Sequence, residues 1–130
     1  MDDAGKPRAL HWRGNAKVEF GAFPPAVQSE MGYALFLAQM GERHRSMAKT
    51  LKGFGGGSVI ELRENHDGDP YRAVYTVRFA DAVYVLHAFQ KRAKRGIKTP
   101  RRDMDLVRSR LRLARESRQG EARLKGDTDT

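Results

Sequence analysis

Alternating apolar and polar residues predict a β-strand in the middle of the chain. Residues 59–64 place Ile60 and Leu62 on one face and Glu61 and Arg63 on the other. That two-residue period is typical of a strand with one face on the core. We therefore expect the apolar face to pack inward and the charged face to meet solvent.

Two further strands follow this one along the chain. Residues 65–70 are rich in turn formers, and residues 71–79 alternate again. Residues 82–89 are apolar on both faces apart from His87. A strand covered on both sides has this pattern, so we place it centrally in the sheet.

Apolar residues at three- and four-residue steps predict helices on either side of these strands. We expect one helix over residues 25–40, a second short one over 45–51 and a third from 99 to 118. The inward stripe of the first helix is Val27, Met31, Ala34, Leu35 and Ala38. That of the last helix is Met104, Val107, Leu111 and Ala114. Thr99 suits its N-cap and Pro100 its first turn.

The remaining segments define the expected domain organisation. Residues 1–21 form an N-terminal segment with a short strand over 9–12, which residues 15–20 extend or pair with. We expect residues 22–118 to form one domain, because a chain of this length usually folds as a single domain. Residues 119–130 are polar, and we expect them to be disordered.

The overall charge indicates the class of partner. The 130 residues include 25 Lys and Arg against 16 Asp and Glu, for a net charge of +9 and a pI near 10.3. Such a balance favours polyanions or an acidic partner protein. The sequence has no signal-peptide core and no run near the ~18 apolar residues of a membrane span. We expect a soluble, cytoplasmic protein.

Several kinds of chemistry are disfavoured by the residues present. The chain has no cysteine, which excludes a disulfide framework and a Cys-based zinc site. Its four histidines are scattered without metal-ligand spacing, so we expect no metal and no cofactor. The glycine-rich loop 53–57 lacks the following Lys and the preceding strand of a P-loop, and is interpreted as a connector. No serine has the context of an activated nucleophile.

Basic side chains on the three strands are the remaining candidate site. Arg63, Arg72, Lys91 and Arg92 lie on or just after consecutive strand runs, where local sequence provides few carboxylates. Arg can clamp a phosphate and stabilise charge at phosphorus, and a lysine beside arginines has a lowered pKa. His87 is either a satisfied core histidine or a proton-transfer group.

These residues carry a resemblance to a known family. Residues 61–63 (Glu-Leu-Arg), 71–75 (Tyr-Arg-Ala-Val-Tyr), 85–92 and 98–100 (Lys-Thr-Pro) closely resemble the RelE/ParE toxin superfamily in order and spacing. The His-Ala-Phe run and the Lys-Thr-Pro ending are similar to its HigB-like, phage-derived branch. The resemblance implies an α+β fold in which two N-terminal helices pack on a mostly antiparallel sheet, followed by a C-terminal helix.

The resemblance also implies an activity. Many members are metal-independent endoribonucleases that cut mRNA, commonly on the ribosome, by attack of a 2′-hydroxyl on the adjacent phosphate. By motif position Arg72 stabilises the phosphate, and Arg63, Lys91 and Arg92 supply further charge. The basic stretch beyond the last strand adds RNA-binding candidates, which are Lys94, Arg95 and Lys98.

One departure from the family leaves the proton-transfer role unassigned. RelE carries a tyrosine shortly after its last strand, whereas this chain has none after Tyr84. His87, Lys91 and Lys94 are the candidates for that role. The expected partners are a cognate helix-turn-helix antitoxin, mRNA and the ribosome. The alternative is a non-nuclease of the same fold that targets gyrase or binds nucleic acid.

Overall fold

The fold is α+β, as expected, and consists of a mostly antiparallel sheet with helices on both faces. The computed structural model describes residues 6–91 and 98–128. Its elements in chain order are β1 (Ala9–Trp12), α1 (Ala16–Gly21), α2 (Pro25–Gln39), β2 (Ala48–Thr50), β3 (Val59–His66), β4 (Asp69–Thr76), β5 (Ala82–Gln90) and α3 (Arg101–Thr128). Across these residues, no helix combines the length and apolarity needed to cross a membrane.

The strands form one sheet in the order β1-β5-β4-β3-β2. β3, β4 and β5 are antiparallel neighbours, and β1 adds to the far side of β5 in parallel. The prediction of an interior strand at β5 is therefore confirmed. The second strand was predicted to extend to Phe79, but β4 ends at Thr76.

The sheet separates two apolar clusters. On the α2 side, Ile60 and Leu62 of β3 pack with Met31 and Leu35. On the other side, residues such as Val74 of β4 pack against α3. The face of β3 that the alternation assigned to solvent is therefore covered by a helix. This coverage buries Glu61, whereas Arg63 on the same face remains partly exposed.

The apolar stripes of the two long helices are confirmed. Every stripe residue of α2 is buried, as are all those of α3 except Met104, which is partly buried. On the outer face of α2, Tyr33 and Phe36 remain 55% and 48% exposed.

The strand expected over residues 15–20 is wrong, because this segment forms α1. Helical spacing brings Ala16 and Phe20 onto the core and leaves Val18 75% exposed. Gly14, at φ +56°, separates β1 from the helix in a conformation that suits glycine. Alternation in so short a segment did not distinguish a strand from a single helical turn.

The short helix expected over residues 45–51 is also wrong. Residues 48–50 form β2, which pairs antiparallel with β3. Met47 and Leu51 have helical spacing, but Met47 packs in the α2-side cluster and Leu51 in the α3-side cluster. Their spacing thus reflects two sides of a sheet edge.

The last helix starts and ends later than predicted. α3 begins at Arg101 and continues to Thr128, through residues expected to be disordered. Glu121, Ala122, Arg123 and Leu124 are good helix formers, which accounts for this continuation. The hydroxyl of Thr99, predicted to cap the helix, instead donates a 2.7 Å hydrogen bond to Glu61 in β3.

Candidate active site

Three of the predicted basic residues come together on the α3 side of the sheet. Arg63 in β3 lies directly opposite Arg72 in β4 in the strand register. Lys91 follows β5, and its backbone N–H donates to the carbonyl of Pro70 at the start of β4 (2.8 Å). The antiparallel register therefore converts three separate sequence positions into one cationic cluster, comprising Arg63, Arg72 and Lys91.

A buried carboxylate lies inside the cationic cluster. Glu61 is 0% exposed, and its Oε1 accepts a 2.8 Å hydrogen bond from Nε of Arg63. Nε of Arg72 lies 4.0 Å from the same oxygen, and Thr99 donates to Oε2. The expectation that these arginines lack an acidic neighbour is thus wrong. Glu61 and Arg63 share a strand face, and α3 closes over that face.

The cationic cluster retains an excess of positive charge. Arg72 and Lys91 are only 6% and 4% exposed, whereas Arg63 is partly exposed. Among the described atoms, Nε of Arg72 is buried without a hydrogen-bond partner. Within the described part of the chain, Glu61 is the carboxylate that lies beside Arg63 and Arg72, and the low exposure of Arg72 and Lys91 places positive charge in a poorly solvated site that favours binding of an anion.

Burial and mutual repulsion shift the pKa values in the cationic cluster. Burial lowers the pKa of Lys91, the charges of Arg72 and Arg63 lower it further, and Glu61 partly opposes them. Burial likewise lowers the pKa of Arg72, with Glu61 opposing and Arg63 adding to the effect. The sequence pattern predicted a lowered pKa for Lys91 because of its neighbour Arg92, which lies outside the described residues.

His87 belongs to a second polar cluster between α1, β5 and α3. It is 3% exposed, with Nδ1 at 3.1 Å from Oε1 of Glu19 and Nε2 at 2.7 Å from Oδ1 of Asp103. Its ring also stacks on Phe89 (4.9 Å between centroids). Both ring nitrogens are engaged, so in this conformation His87 links the helices to the sheet.

Glu19 and Arg110 complete this second cluster, and neither was anticipated from the sequence. Arg110 donates to both carboxylate oxygens of Glu19 (2.8 and 3.2 Å) and to the carbonyl of Leu86. Burial acts to raise the pKa of Glu19, but Arg110, His87 and the N–H of Ala88 outweigh it, so the pKa is lowered. The two residues are 91 positions apart, and no local pattern relates them.

Two grooves open on the α3 side, one beside each cluster. A groove of about 390 Å³ is lined by Arg63, Lys98 and Thr99, next to the cationic cluster. A groove of about 530 Å³ is lined by His87 and Asp103, next to the second cluster. Lys98 thus lines the same groove as Arg63, and its RNA-binding role stays a prediction.

Arg92, Lys94 and Arg95 lie outside the described residues, so their predicted roles stay predictions. Among the side chains that the structure describes, within residues 6–91 and 98–120, no group of three or more His, Asp or Glu has the arrangement of a metal site.

Comparison with known proteins gives one family match. No curated protein matches the chain. Among solved structures, it is similar to a chain of the toxin-antitoxin complex RelBE2 from Mycobacterium tuberculosis, with 17% identity, coverage of 71% of this chain and 100% of that chain, and a TM-score of 0.46. Residues 18–112 match the model of the phage-derived Gp49-like family (DUF891). This match spans most of the sequence, and the chain belongs to the phage-derived Gp49-like family.

Proposed function

We propose that this protein is the toxin of a type II toxin-antitoxin pair and acts as a metal-independent endoribonuclease on mRNA, on the ribosome. The proposal rests on one observation, the convergence of Arg63, Arg72 and Lys91 around Glu61. The sequence motifs and membership of the phage-derived Gp49-like family support the toxin assignment. Its partner would be a helix-turn-helix antitoxin in the cytoplasm.

The cationic cluster suits attack of a 2′-hydroxyl on the adjacent phosphorus. Negative charge grows on the phosphoryl oxygens during this attack, and guanidinium groups such as Arg63 and Arg72 stabilise it most effectively where water is scarce. The 5′-oxygen of the next nucleotide leaves and needs a proton. Lys91, with its lowered pKa, is a suitable donor. The products would be a 2′,3′-cyclic phosphate and a 5′-hydroxyl end.

The group that removes the 2′-hydroxyl proton stays open between His87 and Lys94. His87 would first have to release Glu19 or Asp103, which engage its two nitrogens. Entry of a phosphate also requires Thr99 to release Glu61, because these two residues close the cationic cluster. Arg63 is its partly exposed member and would meet the phosphate first.

Cleavage mapping tests this proposal. Purified protein is incubated with mRNA and ribosomes, and new 5′ ends are mapped. We expect codon-linked cuts that Arg63→Ala reduces by about 100-fold or more, the usual effect of removing one group that stabilises a transition state. Arg45→Ala, which removes an exposed arginine elsewhere, serves as the control. Absence of cuts, or equal cutting by wild type and Arg63→Ala, contradicts the nuclease proposal.

The closed state of the cationic cluster favours a second candidate, a non-nuclease of the same fold. Glu61 already engages Arg63, and Arg72 and Lys91 are buried. Such a protein would act through its exposed basic surface on nucleic acid or through contacts with gyrase. It would leave mRNA uncut, and any affinity for RNA would fall steeply with salt.

A further inference from the structure

The groove beside the cationic cluster has a lining suited to anions. Its cationic side chains are Lys52, Arg63 and Lys98, Thr50 adds a hydroxyl, and none of the described residues that line it is acidic. Lys52 and Lys98 are exposed. A groove of about 390 Å³ is large enough to admit a phosphate with its attached sugar.

Arg63 connects this groove with the cationic cluster. Its described hydrogen bond to Glu61 uses Nε, and its side chain is 26% exposed. A guanidinium carries further N–H donors on its two terminal nitrogens, which can hold a phosphate oxygen while Nε stays bound to Glu61. Glu61 thereby fixes the guanidinium from behind and leaves its outer edge to a ligand in the groove.

A stripe of arginines on α3 continues from the end of the groove. Met104 lines the groove, and Arg108 follows it one turn later. The Arg108 guanidinium lies 5.4 Å from the ring centroid of Phe54, in the loop after Lys52. Positions 101, 108, 112 and 115 are all exposed arginines, and spacings of seven, four and three place them on one side of a helix.

We propose that the groove and Arg108 together form a track for the sugar-phosphate backbone of RNA. One phosphate would bind Arg63, Lys52 and Lys98 in the groove, and the strand would then run along α3 past Arg108. This inference rests on the proposed function and extends it with two residues, Lys52 and Arg108, that the motifs do not identify. RNA is favoured over an acidic protein segment because the track is continuous with the proposed cleavage site through Arg63.

The test is binding of an uncleavable RNA. A 2′-O-methyl oligonucleotide cannot undergo 2′-hydroxyl attack, so its affinity reports the track alone. Fluorescence anisotropy is measured over a salt series for wild type, Lys52→Ala, Arg108→Ala and the control Lys17→Ala, whose lysine is exposed on α1. We expect Lys52→Ala and Arg108→Ala each to weaken binding and to reduce the slope of log K against log salt by about 0.7, the value for one lost contact to a single strand.

The outcomes separate this inference from the nuclease proposal. Unchanged affinity and slope in both variants overturn the track even if mRNA is cut. The expected slopes without any cutting support the track and contradict the nuclease. Polyglutamate is tested as a competitor in parallel. If it displaces the RNA and its own binding shows the same dependence on Lys52 and Arg108, the surface recognises acidic protein and the RNA assignment is wrong.

Discussion

Replacing Glu61 with Gln tests whether the carboxylate compensates the buried cations. The amide keeps the shape of the side chain and an acceptor for the Thr99 hydroxyl, but it removes the negative charge. The 2.8 Å contact with Arg63 is partly exposed, so its loss accounts for no more than about 1 kcal/mol. Arg72 is different, because it is buried and its Nε lies 4.0 Å from the carboxylate.

Arg72 therefore determines the expected size of the effect. Two charges at this separation attract by about 4 kcal/mol at an effective dielectric constant near 20. Removing one partner of a buried pair typically costs about 3–5 kcal/mol, because the other charge is left uncompensated. We expect the free energy of unfolding of Glu61→Gln to fall by about 3–5 kcal/mol in total. A domain of this size has only about 5–15 kcal/mol.

Thermal and urea unfolding measure the change directly. For a chain of this length, a loss of that size lowers the melting temperature by roughly 10–20 °C. Glu116→Gln, which changes an exposed glutamate on α3, should melt with wild type. A Glu61→Gln variant that melts within about 2 °C of wild type would refute the reasoning, because the cations would then be compensated by solvent.

A double-mutant cycle locates the interaction. Arg72→Met removes the stranded guanidinium and fills similar space, so the double variant should lose less stability than the two single changes added together. We expect a coupling of about 2 kcal/mol, within the range seen for residues in one ionic network. Additive losses of stability would show that Glu61 and Arg72 do not interact across the 4.0 Å between them.

Three other outcomes follow from the described geometry. Burial lowers the pKa of Lys91 below its ordinary 10.5, so the unfolded chain binds more protons at this residue than the folded protein. Urea unfolding should therefore show stability rising with pH just below 10.5, and Lys91→Met should remove this trend. The lowered pKa of Glu19 gives a slope of the same sign at acid pH: its stabilisation is lost as pH falls below 4.5, and Glu19→Gln should flatten this acid part of the dependence of melting temperature on pH. Gly14→Ala should lower the free energy of unfolding in urea by about 2–3 kcal/mol, because φ is +56° and the new Cβ would lie 2.5 Å from Nε of Arg110. Gly55→Ala is the control, since Gly55 has φ +70° but open space around it, and should lower it by about 1 kcal/mol.

The periodicity of the sequence was sufficient for the central elements. Alternation located β3 and β4, a run that is apolar on both faces located β5, and the apolar stripes of α2 and α3 were identified residue by residue. These signals are reliable because each residue's burial follows from its own position in a long repeat. The convergence of Arg63 and Arg72 followed from the same pattern, since consecutive antiparallel strands bring their faces into register.

The covered side of the sheet could not be predicted in the same way. Alternation assigns Glu61 to a polar face, and polar faces usually meet water. Here α3 covers that face, and Glu61 becomes fully buried among cations. The partners of His87 were hidden for a related reason, because Glu19 is 68 positions away on a helix of six residues whose pattern resembles a strand.

The separation of Glu19 from Arg110 has a consequence for synthesis of the protein. These residues are joined across 91 positions, so α1 cannot acquire its partner until the part of α3 that carries Arg110 has left the ribosome. Before α3 is available, Glu19 and His87 lack their hydrogen-bond partners on that helix, and the sheet face bearing Arg63 and Arg72 is uncovered. The nascent chain thus passes through a stage in which its basic strands are open to solvent, and they are closed only when α3 packs on the sheet.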